Sequence, residues 1–154
     1  MNFILNTIPR NSEPQKMPSK SDKVAYGSYL ANAAGCIECH TQVDKGQIIK
    51  ELQFSGGREF QSPDGSVIRT ANITPDEETG IGKWTEQEFI KKFKSYSDSG
   101  YVLPSVAPGE FNTFMPWTMY SGMNVEDLSA IYAYLRTVPP RKNFVTKFSK
   151  AGVN

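Results

Sequence analysis

The chain is poor in the residues that most often carry metal or catalytic chemistry. Its 154 residues include one histidine and two cysteines, and all three lie between positions 36 and 40. Two cysteines that close cannot staple distant segments, so a disulfide framework is excluded. No run of about 20 apolar residues exists, so nothing reads as a membrane span. The start, Met1 to Pro9, has no basic leading stretch and too short an apolar run for a signal peptide. Charge of one sign is lacking too. With 17 Lys and Arg against 16 Asp and Glu, the formal net charge is +1, which gives nucleic acid no footprint. Apolar residues make up only 38% and the mean hydropathy is -0.45.

What the chain does have is ten prolines, twelve glycines and a few well-signalled helices. Residues 1–20 read as a tail or linker, 21–140 as one domain, and 141–154 as a basic, loosely held tail. A helix fits about 22–34, with Ser21 as N-cap and Gly35 as the C-cap glycine. Residues 41–83 read as mostly irregular, with a hairpin from Phe60 to Ile68 turning at Ser62-Pro63-Asp64-Gly65. A second helix fits about 86–96. There Thr85 and Glu88 make a capping box, Trp84 and Phe89 have staple spacing, and Phe89, Phe93 and Tyr96 mark the buried stripe. Residues 97–123 form a long loop. The last helix starts at Asn124, shows one face of Leu128, Ile131, Tyr132 and Leu135, and stops by Val138-Pro139-Pro140. Gly27, in a helix interior, needs a reason to be there; close crossing by the last helix, with Tyr132 or Tyr134 against it, supplies one.

Cys36-Ile37-Glu38-Cys39-His40 is a C-x-x-C-H haem attachment pattern. Cysteines three apart at a helix end both reach the vinyl groups on one porphyrin edge, and the next histidine lies beneath the iron. A zinc site would need further Cys or His ligands, and the sequence has none. A dithiol of the thioredoxin kind needs a βαβ setting that is missing here. A haem would also fill the space that a thin core leaves.

The second axial ligand follows by elimination. His40 is the only histidine, which leaves the five methionines. Met1 and Met17 precede the attachment helix, and Met123 has staple spacing with Leu128. Met115 sits in the long loop before a proline, which disfavours helical backbone and suits a side chain projecting from an extended segment. Met119 is the second choice. Trp84, Tyr101, Phe111, Phe114 and Trp117 suit a haem wall or an ordinary core alike. Arg58 and Arg69 are candidate propionate partners, and a backbone carbonyl is the expected partner of the His40 ring N–H.

Together these features resemble the class I cytochrome c family over roughly residues 21–140. The resemblance implies an all-α fold, with three main helices and long loops around one covalent haem c. A narrower likeness rests on Gly27-Ser-Tyr-Leu, Cys36 to Thr41, Ala71 to Thr85, Met115-Pro-Trp and Asp127 to Thr137. These stretches are similar to the haem domains of cytochrome subunits of membrane-bound alcohol, gluconate and aldehyde dehydrogenases. Several such subunits carry three haem domains, whereas this chain carries one; it is either a single-domain shuttle or a domain cut from a longer anchored protein. The implied role is single-electron transfer between a redox protein donor and an acceptor, not catalysis. The implied location is periplasmic, with membrane contact only through a missing anchor or a partner subunit. The rival is a gas sensor or peroxidase-like protein with a labile sixth site; no second histidine is present to serve it.

Overall fold

The computed structural model describes residues 16–107 and 109–152. Residues 1–15 of the tail expected over 1–20, Met1 included, lie outside them. The first helix, α1 (Lys23–Ala33), starts one residue later than expected. Asp22 is the N-cap, its carboxylate accepting from the Ala25 N–H at 3.0 Å, while the Ser21 hydroxyl pairs with that of Ser19. Gly35 stops α1 with φ +67°, a left-handed conformation that glycine adopts without a Cβ clash. The chain then makes one further turn, α2 (Cys36–His40), and leaves it extended at Thr41.

A two-stranded ladder, β1 (Val43–Asp44) with β2 (Gln47–Ile48), precedes the expected hairpin. That hairpin pairs β3 (Glu59–Gln61) with β4 (Val67–Arg69). Its turn closes with the Gly65 N–H on the Ser62 carbonyl at 2.9 Å. α3 (Glu86–Lys94) carries the complete capping box: the Thr85 hydroxyl accepts from the Glu88 N–H, and the Glu88 carboxylate accepts from the Thr85 N–H at 2.7 Å. A short α4 (Trp117–Tyr120) interrupts the long loop. In α5 (Val125–Leu135), Asn124 occupies the N-cap position but its side chain makes no capping bond.

Two features depart from an all-α chain with a loose C-terminus. Residues 41–70 form small sheets beside the helices. Residues 141–149, expected to be a tail, return to the domain, where β5 (Phe148–Ser149) pairs with β4 as the third strand. Polar anchors explain the return: the Arg141 carbonyl accepts from Asn72 at 2.7 Å, and Asn143 donates to the Ser55 carbonyl at 3.0 Å.

The helices meet where the core lies. Phe54, Ile81, Phe89, Ile131 and Leu135 form its buried centre, with the Phe89 ring 5.0 Å from Phe93 and 5.5 Å from Tyr132. α1 crosses α5 at Gly27, where an added Cβ would come within 1.9 Å of the Ala130 carbonyl oxygen and 3.0 Å of the Tyr134 Cβ. The Tyr26 hydroxyl donates to Asp127 at 2.8 Å across the same crossing.

Candidate functional site

The C-x-x-C-H turn is fixed from both ends. At its entry, Gly35 reverses the chain from α1, so the turn starts from a set direction. At its exit, the His40 carbonyl accepts from the Gly56 N–H at 2.8 Å. Thr41, fully buried, then receives the Phe54 N–H on its hydroxyl at 3.2 Å. Cys36 is half-buried and Cys39 exposed. Before attachment, burial, with the neighbouring Cys39 adding to it, pushes the Cys36 thiol up to about 11 and keeps it neutral.

His40 is oriented by one bond: its Nδ1 lies 2.7 Å from the Ala71 carbonyl oxygen. A carbonyl only accepts, so Nδ1 carries the proton and Nε2 keeps a free lone pair. Burial also holds the ring below its ordinary value of 6.5, against the opposing pull of the Ala71 bond. A neutral imidazole with one nitrogen anchored and the other open is what a metal ligand requires. Among the described residues no group of three or more His, Cys, Asp or Glu could hold a bare metal ion. Two cysteines and an oriented histidine on one turn are a donor set that fits an iron carried in its own macrocycle.

The expected wall residues divide. Arg58 donates to the Glu38 carbonyl inside the motif, and its guanidinium stands 5.5 Å from the Phe60 ring centre. Phe60 in turn lies 5.5 Å from Phe114, the residue before half-buried Met115. On the other side of Met115, Trp117 stacks on Tyr96 at 5.0 Å and 6°, and the Tyr120 hydroxyl reaches the Ala34 carbonyl at 2.5 Å. The Met115 loop is thus tied on one side toward Glu38 and on the other to the residue before Gly35. Met119 is 76% exposed, and Met123 packs on the core.

Other expectations land elsewhere. The Arg69 guanidinium is committed to Glu59 at 2.8 Å, Ser149 at 2.8 Å and the Thr146 carbonyl at 3.3 Å, so it braces the sheet. Trp84 is partly exposed and its carbonyl accepts from the Tyr132 hydroxyl at 2.6 Å. Tyr101 packs on Tyr96 at 5.0 Å, and Phe111 on Phe148 at 6.0 Å. Tyr120 escaped the sequence reading, and of the expected backbone carbonyl for His40 the sequence did not say that it belongs to Ala71. The first is a tyrosine in a loop with no pattern around it, and the second is a backbone atom with no residue signature.

Comparison with known proteins agrees with this geometry. The model of the family described as Cytochrome c matches residues 24–139. A fructose dehydrogenase cytochrome subunit from Gluconobacter japonicus is 31% identical over 86% of this chain and 24% of its own length. A cytochrome c subunit of a quinone-type alcohol dehydrogenase from Gluconacetobacter polyoxogenes is 34% identical over 78% of this chain and 23% of its own. A gluconate 2-dehydrogenase cytochrome c subunit from Pantoea cypripedii is 36% identical over 72% and 22%. The chain spans about a quarter of the length of these relatives. The match runs from the first residues of α1 past the end of α5 and so takes in the anchored histidine and both thiols. The chain belongs to the cytochrome c family and carries covalently bound haem c.

Proposed function

We propose that this chain moves single electrons through a haem c held by Cys36 and Cys39, with iron ligated by His40 and Met115. The observation that carries the reading is the 2.7 Å bond from His40 Nδ1 to the Ala71 carbonyl, on the same turn as both thiols. Bound haem supplies one-electron Fe(III)/Fe(II) cycling; the chain supplies a fixed site for it. Cys36 and Cys39 hold one macrocycle edge. Ala71 keeps the His40 lone pair pointed at one place, so little rearrangement accompanies electron transfer. Met115, tethered through Phe114 and Tyr120, supplies a thioether, a ligand type that raises the potential. Arg58, beside the motif, and Trp117 are the pocket residues this arrangement favours.

Donor and acceptor are redox proteins. The relatives named above belong to fructose, alcohol and gluconate dehydrogenases, and a dehydrogenase subunit is the donor we propose. The location that goes with it is periplasmic, at the membrane only through an anchor or partner. No helix among the described residues is long and apolar enough to cross a membrane.

Denaturing acid-acetone extraction tests the attachment. The wild type should keep its haem, and Cys36→Ser with Cys39→Ser should lose it. Freely extracted wild-type haem contradicts the proposal. Ready carbon monoxide binding by the wild type would favour a sensor or peroxidase-like role instead.

A further inference from the structure

The stretch after Ala71 contains a buried amide whose bonding the electron-transfer reading leaves unused. Asn72 is 5% exposed, and its side chain is bonded at every site it has. Its Oδ1 accepts from the Thr74 N–H at 2.9 Å and the Thr74 hydroxyl at 2.7 Å. Its Nδ2 donates to the Thr79 hydroxyl at 2.9 Å and the Arg141 carbonyl at 2.7 Å. Two acceptor and two donor positions are thereby filled.

The peptide that joins Ala71 to Asn72 is the one whose carbonyl receives His40. It is confined on a second side by Gly56, where an added Cβ would lie 2.4 Å from the Ala71 carbonyl carbon and 2.5 Å from its oxygen. Gly56 is itself bonded to the His40 carbonyl. One residue further on, the Ile73 N–H donates to the Phe54 carbonyl at 2.9 Å. The acceptor of the histidine bond is therefore a clamped peptide, and its outermost anchor is Arg141 in the C-terminal segment.

We infer that Asn72 is a positioning residue for His40: it fixes the direction of the Ala71 carbonyl and so the donor strength of the imidazole. The inference rests on His40 being the iron ligand. An imidazole whose N–H is well hydrogen-bonded is more basic and donates more to the metal. That favours Fe(III), so loosening the bond should raise the potential. The C-terminal segment becomes part of the tuning, because Arg141 holds one arm of the amide.

The test uses holoprotein and the neutral variant Asn72→Ala, compared with Asn143→Ala. The second removes only the side-chain bond to Ser55 and leaves the Arg141 carbonyl on Asn72. Asn72→Ala should shift the Fe(II)/Fe(III) equilibrium about threefold toward Fe(II), a rise of roughly 28 mV at about 59 mV per tenfold. It should also speed exchange of the His40 Nδ1 proton, followed by NMR. Asn143→Ala should lower the unfolding midpoint and leave potential and exchange unchanged. If Asn72→Ala does not take up haem, Thr74→Val removes only the hydroxyl from the node and should move the potential the same way by less. Unchanged potential and exchange in the haem-loaded variant, with stability alone reduced, overturns the inference. If instead wild-type haem shows no histidine ligation by NMR, the functional reading itself fails.

Discussion

Met115 and Met119 are the same residue type four positions apart, and their surroundings separate them. Met119 points away from the domain, 76% exposed. Met115 is half-buried between Phe114, which packs on Phe60, and the α4 turn, which is tied to Ala34. Met115→Ala should abolish the near-infrared band of a thioether bound to Fe(III), lower the reduction potential and open iron to cyanide. Met119→Ala should leave the band in place. The reverse pattern in the two spectra would make Met119 the ligand. At this scale the sequence was legible wherever chemistry demands a residue type. The C-x-x-C-H pattern was such a case: it pointed to a covalent haem c, and the family match bears that out. The place of Arg69 was harder to read, because an arginine has many competing partners; it bonds Glu59, Ser149 and the Thr146 carbonyl.

Among the elements, the α1–α5 crossing has the narrowest tolerance. Gly27 faces the Ala130 backbone, which cannot swing aside as a side-chain tip can. Gly27→Val should therefore cost about 1–3 kcal/mol through overpacking, read as a lower denaturation midpoint. An unchanged midpoint would mean that α1 and α5 do not cross there. The α3 terminus offers a second measurement. Thr85→Ala should cost about 1 kcal/mol, because it removes the acceptor for the Glu88 N–H and leaves that donor to water. Helix starts and stops were legible because capping is local chemistry; the capping box and Gly35 stood where spacing put them. Asp22 displaced Ser21 because its carboxylate reaches the Ala25 N–H. The strands were harder. β1, β2 and β5 are two residues each, too short to show any alternation, and β5 pairs with a strand 80 residues away in sequence, which no local pattern reveals.

For the whole molecule, the unexpected part is the hold of the C-terminal segment. Deleting residues 141–154 removes β5 and the anchors at Asn72, Thr74, Thr79 and Ser55. The truncated holoprotein should melt at a lower temperature than the wild type; equal melting would return these residues to the status of a tail. Acid should also loosen the molecule. The Ser66 hydroxyl and N–H hold Asp64 below 3.8, and the Thr79 hydroxyl and N–H do the same for Asp76. The Thr85 N–H and hydroxyl hold Glu88 below 4.5. Carboxyls depressed on folding contribute stability above their unfolded values, and that stability is lost as pH falls through the folded ones. Urea midpoints should therefore fall as pH drops below about 4. Thr79→Val, which removes one donor to Asp76, should flatten that slope.

The bond from Tyr26 to Asp127 joins residues 101 positions apart, and this has a kinetic meaning. A loop that long closes at an entropic cost which local contacts do not offset early, and topologies dominated by distant pairings fold slowly. The α1–α5 crossing cannot close until α5 has been made. Through that interval the two thiols sit on an unclosed domain, so the time in which they are freely reachable is set by the making of its last helix.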